Sequence, residues 1–466
     1  MIALVFLYNE EEYQGEKSQN KEEAMKTIII GGTAAGTSAA VKVQKLAEDP
    51  EVVIYEKGDL VSLGACGLPY YIGDYFEDAN QMIAREKAAF EKQGITIKLH
   101  HEVLAVDTTA KTVHVKPADG EEFIDHYDKL MVATGSSVVL PPVKRADFEN
   151  LYTVKTMSDG KNLKKHLSQA DIQRVTIVGG GYIGVEIAEA LLHLDKEVQL
   201  IQMEANLLQD SFDSEINELM VAKMREANVD LHLSETVKEF EGDHTVQWVI
   251  TDKGRYKTDL VIVAIGVRPA TAFLGKEFAT LKNGALIVDN QGRTNVPDVW
   301  SAGDCATVDF LNTGEKRYIP LATGANKLGR VAGESMAGKA TTYPGSLGTA
   351  GVKFQELEMA RTGLTEREAK DLGLNYKAVV INDKNQTNYY PGQKDIRIKL
   401  IYEADTRRIL GGQIAGENGA ALRIDTLAAA ITGQLTTGTL GLLDLLYAPP
   451  FARTWDALNI AGNVAK

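Results

Sequence analysis

The chain has 466 residues, 44% hydrophobic and 24% charged, with a formal net charge of −14 at pH 7. That length holds two to four domains with cores of their own, and the acidity speaks against nucleic acid or an anionic membrane surface as a partner. Two cysteines cannot build a disulfide framework, which points to a reducing cytoplasmic setting, and no apolar run reaches the roughly 18 residues of a membrane span.

Residues 1–24 read as an extension, disordered or ahead of the true start: MIALVFLY is apolar but short, lacks a basic flank and runs into an acidic stretch. From Lys26 the order is strand, glycine turn, helix, strand (KTIII, GGTAAG, TSAAVKVQKLA, EVVIYE), a βαβ nucleotide unit. Gly31 permits the tight turn and Gly36 lets helix and strand pack closely, so the helix N-terminus faces a pyrophosphate. Thr33 stands where the common fingerprint has a glycine. Glu56, with Lys57 after it, ends the next strand where a ribose hydroxyl is bound.

Downstream lies VSLGACGLPYYIGD, residues 61–74. Leu68-Pro69 opens a helix, which puts Cys66 at a helix N-terminus where N–H groups and the dipole favour a thiolate. Gly67 leaves room for a ring to approach. A C-x4-C pair is missing, because five residues back is Val61 and five forward is Tyr71. The sulfur must therefore cycle with something from outside: a small thiol, a peroxide, or oxygen through a sulfenic acid.

DKLMVATGSS is a strand ending in the small turn at Thr134 and Gly135. The nucleotide unit then recurs as RVTIV, GGGYIG, VEIAEALLHL and EVQLIQ, with Gly179, Gly181 and Gly184 forming a full G-x-G-x-x-G between strand and helix. Gln202 stands where NAD-specific proteins place an acid, and no Arg or Lys follows directly to hold a 2′-phosphate. The reading is NADH, with NADPH as the alternative. Tyr182 either lies over a flavin ring until nicotinamide displaces it or packs between domains. TDLVIVAIGVRP delivers Gly266 to another strand end, and Ser301-Ala302-Gly303-Asp304 places a carboxylate for the ribityl or phosphate part of a flavin. Cys305 behind it reads as structural.

From about residue 346 the pattern becomes an antiparallel sheet with helices on one side, with a hairpin at DTRR. Tyr389 precedes Tyr390-Pro391-Gly392 and Tyr447 precedes Ala448-Pro449-Pro450, so two hydroxyls sit beside rigid turns. None of the eight histidines forms an H-x3-H or mixed Cys/His cluster, so no metal site is expected.

Over residues 26–466 this assembly resembles the pyridine nucleotide–disulfide oxidoreductase family, in its single-cysteine branch of coenzyme A–disulfide reductases, NADH oxidases and NADH peroxidases. CGLPYYIG around Cys66, NYYPG at 388–392 and LYAPPF at 446–451 match the reductases. The resemblance implies an α/β protein with two Rossmann-like domains, for FAD (25–139 and 267–345) and for NAD(P)H (140–266). An α+β dimerisation domain (346–466) follows. It implies a homodimer in which Tyr389 and Tyr447 of one subunit assist Cys66 of the other, with Cys66 resting as a mixed disulfide with coenzyme A. Phosphate-binding groups fall on Lys42 and Lys45, with Ser62 and Arg423 also on the substrate. Ala34 replaces the histidine of the oxidases and peroxidases, which favours a small disulfide as acceptor over peroxide or oxygen. Leu422, Phe451 and Ala65 depart from the reductase pattern and bear on coenzyme A as that disulfide.

Overall fold

The apolar runs KTIII and RVTIV each become the central strand of a parallel five-stranded sheet. The computed structural model describes residues 24–143 and 147–466, so the expectation for 1–24 falls, Ala24 apart, outside the described residues. In the first sheet the order is Val299–Ser301, Lys129–Val132, Met25–Ile30, Pro50–Glu56, Ile95–Leu99. Ile28, Ile29, Ile54 and Leu130 are fully buried in it, each side chain worth about 1.5–3 kcal/mol of burial. In the second the order is Asp230–Leu233, Glu197–Gln202, Arg174–Val178, Leu260–Val263, Leu151–Tyr152. Parallel strands covered on both faces need such continuous apolar runs.

The helix Ala34–Leu46 leaves the first glycine turn and is crossed by Ala322–Met336. The crossing is backbone on backbone: a Cβ on Gly329 would lie 2.6 Å from the Ala35 oxygen, and one on Gly333 2.4 Å from that of Ala39. An antiparallel pairing of Ser136–Val138 with Val267–Pro269 joins the two parallel-sheet units.

The C-terminal part is a five-stranded antiparallel sheet, Ala350–Phe354, Leu357–Gly363, Ile409–Gly416, Asp395–Glu403, Tyr376–Lys384. DTRR turns between the last two strands in chain order, with Arg407 at φ +59° and the Glu403 N–H on the Arg408 oxygen at 2.9 Å. The helix Ile424–Thr432 packs on the central strand, where Gly412 leaves room for Leu427. This sheet is fastened to the second parallel unit by Lys399, only 1% exposed, whose Nζ meets Asp213 at 3.3 Å, Glu215 at 2.9 Å and Glu366 at 2.6 Å. A buried cation is tolerated only with such partners. Among the described residues no helix is long and apolar enough to cross a membrane, and no group of three metal-binding side chains gathers.

Candidate active site

The two glycine turns are built alike. Gly31 has φ +106°, and a Cβ there would lie 2.2 Å from the Ala133 oxygen; Gly179 has φ +112°, with the Ala264 oxygen at 2.4 Å. Only glycine tolerates both the conformation and the approach. A Cβ on Gly36 would meet the Gly31 oxygen at 1.9 Å, and one on Gly184 the Gly179 oxygen at 2.0 Å. At the next strand ends, Glu56 Oε2 accepts the Gly32 N–H at 2.7 Å and Gln202 Oε1 accepts the Gly180 N–H at 2.9 Å. Glu56 Oε1 also takes the Gly58 N–H at 2.7 Å, while Lys57 beside it is exposed. Open space faces Gly135, Gly181 and Gly266, with no atom within 4 Å of an added Cβ.

Beyond the Thr134-Gly135 turn, Ser136 Oγ donates to Asp304 Oδ2 at 3.0 Å, and Lys155 Nζ donates to Ser136 Oγ at 2.8 Å, standing 3.8 Å from Asp304. The Tyr318 hydroxyl is buried beside them, without a hydrogen-bond partner among the described residues. Burial and the charge of Asp304 push its phenol up. Cys305 is fully buried, its Sγ on the Val132 and Ala302 oxygens at 3.4 Å.

Cys66 lies in the turn Ala65–Gly67 that leads into the helix Leu68–Ile72. The turn is tied to the first cradle by the Ser62 N–H on the Gly32 oxygen at 2.8 Å, with Ser62 itself at φ +56°. Cys66 is exposed and free, yet the protein on its inner side crowds it. Desolvation, then the carboxylates of Glu186 and Asp304, push the thiol up, against its own backbone N–H and Lys155. This corrects the expected thiolate stabilisation: the helix has only five residues, too short a dipole to outweigh burial and two acids. Gly67 also has another reason than room for a ring, since a Cβ there would sit 2.8 Å from Met82 Cγ.

Glu186 comes from the second fold, on the helix Tyr182–His193. Its carboxyl is pushed up to about 7, by burial first and by Glu189, while a hydrogen bond from the Tyr70 hydroxyl at 3.5 Å works the other way. Tyr182 opens the same helix, and burial pushes its phenol up.

In the C-terminal domain Tyr389 and Tyr447 meet hydroxyl to hydroxyl at 2.8 Å, 70% and 43% exposed. The bond to Tyr447 pushes the Tyr389 phenol up, and either hydroxyl can be the donor. Among the described residues neither hydroxyl bonds to the Cys66 turn of the same chain. Arg423 is not free for a substrate phosphate. Its guanidinium donates to Asp456 at 2.9 Å and to the Asn385 and Phe451 oxygens at 2.8 and 2.9 Å, clamping the segments that carry the two tyrosines. Lys42 is likewise held, 2.8 Å from Glu334, which holds that carboxyl down at about 2. Lys45 remains exposed on the same helix.

Residues 25–329 match the model of the pyridine nucleotide-disulphide oxidoreductases, and residues 349–458 that of their dimerisation domain. The chain belongs to this family. Among its relatives, the NAD(P)H coenzyme A polysulfide/persulfide reductase of Pyrococcus horikoshii is 36% identical over 95% of this chain and 98% of its own. The water-forming NADH oxidase from Lactobacillus brevis, solved with NADH, has a TM-score of 0.91 at 32% identity, covering 95% of this chain and 98% of that one. A NAD-dependent persulfide reductase from A. fulgidus gives 0.91 and 32%, covering 95% and 83%.

The family is FAD-dependent, and this oxidoreductase fits both nucleotides. The space over Gly135, the unpartnered Tyr318 hydroxyl and the Asp304–Ser136–Lys155 cluster suit a flavin in the first cradle. The space over Gly181 and Gly266 suits NAD(P)H in the second. Lys155, Ser136, Tyr318 and Glu186 were not among the residues singled out by sequence. Glu186, four residues after Tyr182 on the fingerprint helix and hence on its face, had a signal in its spacing. Ser136 directly follows the Thr134-Gly135 turn, whereas Lys155 and Tyr318 come from segments with no motif.

Proposed function

We propose that the chain is a cytoplasmic homodimeric flavoenzyme that uses NAD(P)H to reduce low-molecular-weight disulfides, coenzyme A disulfide or a related sulfur–sulfur bond, through Cys66. The observation that carries this is the state of the sulfurs. Cys66 is exposed, and the other cysteine, Cys305, is buried on backbone oxygens, so the S–S partner comes from outside. The P. horikoshii and A. fulgidus relatives, named for persulfide reduction, support the same chemistry.

FAD in the first cradle supplies a two-electron path from nicotinamide to sulfur. The Cys66 thiolate attacks a substrate sulfur; the S–S bond breaks, one half stays on Cys66 and the other departs as a thiolate. Tyr447 of the second subunit gives that thiolate its proton, and the hydrogen donated by Tyr389 stabilises the phenolate left behind. Dimerisation is supported by Leu422, Leu442, Leu446 and Phe451, each over 60% exposed, apolar surface that a second copy would cover.

The second reading is an NADH oxidase or peroxidase with Cys66 cycling through sulfenic acid, favoured by the match to the L. brevis oxidase. An anaerobic acceptor panel separates the two. Turnover with coenzyme A disulfide and a coenzyme A adduct on Cys66 in non-reducing mass spectrometry support the reductase. Turnover with oxygen or peroxide alone, with only oxygen additions on Cys66, supports the oxidase or peroxidase. Cys66→Ser is expected to lower disulfide turnover at least about a thousandfold while NADH still bleaches the flavin; full turnover in that variant refutes the sulfur route. Tyr447→Phe is expected to lower disulfide turnover about a hundredfold, and an unchanged rate removes the tyrosine from the reaction.

A further inference from the structure

Cys66 sits on a turn with little of its own to hold it. Ala65–Gly67 is three residues long, no side chain caps it, and Ser62 ahead of it has φ +56°, a left-handed conformation uncommon outside glycine. Such a backbone persists only where its surroundings fix it. One fixing point is the first cradle, through the Ser62 N–H on the Gly32 oxygen. The other is the segment 79–84, which the reaction does not otherwise use. Leu63 and Ile83 form an antiparallel bridge, with the Gly64 N–H on the Met82 oxygen at 2.7 Å and the Ala84 N–H on the Ser62 oxygen at 3.0 Å. The bridge leads out of the short helical turn Ala79–Met82, whose start is capped by Asp78 accepting the Asn80 N–H at 2.9 Å.

The Met82 side chain then passes beneath the turn that carries the cysteine. A Cβ on Gly67 would lie 2.8 Å from its Cγ and 3.0 Å from its Sδ. A methionine in open space yields to such a neighbour. Met82 is only 6% exposed, in the buried apolar cluster that holds Leu68, Tyr71 and Ile72 and runs into the core of the second fold, so it has little room to move. The turn and this side chain are therefore in fixed register one residue from Cys66. Thiol–disulfide exchange makes that register matter, because the attacking sulfur must approach along the S–S bond it breaks.

We propose that Met82 is a positioning residue for Cys66: its side chain, beneath Gly67, sets where the sulfur stands for attack on an external disulfide. This rests on Cys66 being the reactive sulfur. The role is steric, so shape counts and the thioether sulfur does not. Met82→Ala empties the space beneath Gly67, and Gly67→Ala drives a methyl into it. Each is expected to lower kcat with coenzyme A disulfide about tenfold or more, with KM within about threefold, while NADH bleaches the flavin at the native rate. In Gly67→Ala/Met82→Ala the new methyl enters the vacated space, and kcat is expected to return to within about threefold of native, a non-additivity that marks groups in contact. Met82→Leu, of similar volume, is expected to stay within about threefold of native. Alkylation of Cys66 by iodoacetamide needs exposure and ionisation but no S–S alignment, and is expected to change by less than about threefold in every variant. A Met82→Ala protein with native flavin content and native kcat overturns the proposal, and so do single losses that multiply in the double variant. If Met82→Ala fails to fold, Gly67→Ala against Gly67→Ala/Met82→Val makes the same comparison. A native protein inert to coenzyme A disulfide removes the proposed function instead; single exchange of reduced Cys66 with a nitrobenzoate disulfide, followed by the coloured thiolate released, then decides on Met82 in the same variants.

Discussion

The two nucleotide folds share a turn but differ in how firmly it is closed. In the first, Glu56 is tied to two backbone N–H groups, and the helix after the turn is pressed along its length by Ala322–Met336 through Gly329 and Gly333. In the second, Gln202 makes one such tie, and open space remains over Gly181. The first suits a nucleotide that stays through every turnover, the second one that exchanges. The same glycine fingerprint therefore serves two duties, and the difference lies in what packs against it.

Twin substitutions break the comparison most sharply. Gly36→Ala and Gly184→Ala each drive a methyl to within about 2 Å of a backbone oxygen, which cannot rotate away, so each turn must open. Overpacking of this kind typically costs about 1–3 kcal/mol. Gly36→Ala is expected to yield protein with most of its flavin absorbance gone and a lowered Tm. Gly184→Ala is expected to keep the flavin spectrum while NADH bleaches it at least about a hundredfold more slowly. Flavin lost from the Gly184 variant but retained by the Gly36 variant reverses the assignment of the cradles.

Cys66 hangs from the first fold and feels Glu186 from the second, so its reactivity reports on their meeting. The positive charge of Lys155 pulls its thiol down. Lys155→Met is expected to slow alkylation of Cys66 by iodoacetamide about threefold at neutral pH, because less of the thiol is then ionised. Glu186→Gln is expected to speed it by a similar factor above about pH 7, where the native carboxyl carries its charge. Equal alkylation rates in all three proteins show that the thiol is set by burial alone.

Both turns were legible because a backbone oxygen about 2 Å from a Cβ position admits one residue, and that constraint is local. The hairpin at DTRR was legible for a different reason, as a polar break between two strand patterns. The surroundings of Cys66 were not. Its flanks mark the turn, but Glu186, Asp304 and Lys155 reach it from segments far apart in sequence, and their sum opposes what the Leu68-Pro69 helix start suggested. Arg423 shows the same limit. A basic residue beside a candidate site looks like a phosphate ligand until the fold shows Asp456 and two carbonyl oxygens already holding it. The resemblance assigned both tyrosines to one active site, but their local turns carried no signal of direct contact; the fold brings the hydroxyls of 389 and 447 to 2.8 Å.

Glu186 leaves one further trace, smaller than the others and independent of any acceptor. Its carboxyl is pushed up to about 7, chiefly by burial, whereas in the unfolded chain it titrates near an ordinary glutamate, about 4.3. Between those values the folded protein binds a proton that the unfolded chain has released. Stability from this group is therefore fully present below about pH 4.3, falls as pH rises through the window to about 7, and is level above it. The shift corresponds to a loss of about 3–4 kcal/mol. Gln cannot ionise, so Glu186→Gln removes the dependence. The difference in Tm between variant and native flavoprotein is expected to grow in the variant's favour by a few degrees from about pH 4.5 to about pH 8, with other titrating groups cancelling in the subtraction. A difference that stays flat across that window means that Glu186 is solvated in the folded protein, and the second fold then does not lean a buried acid on Cys66.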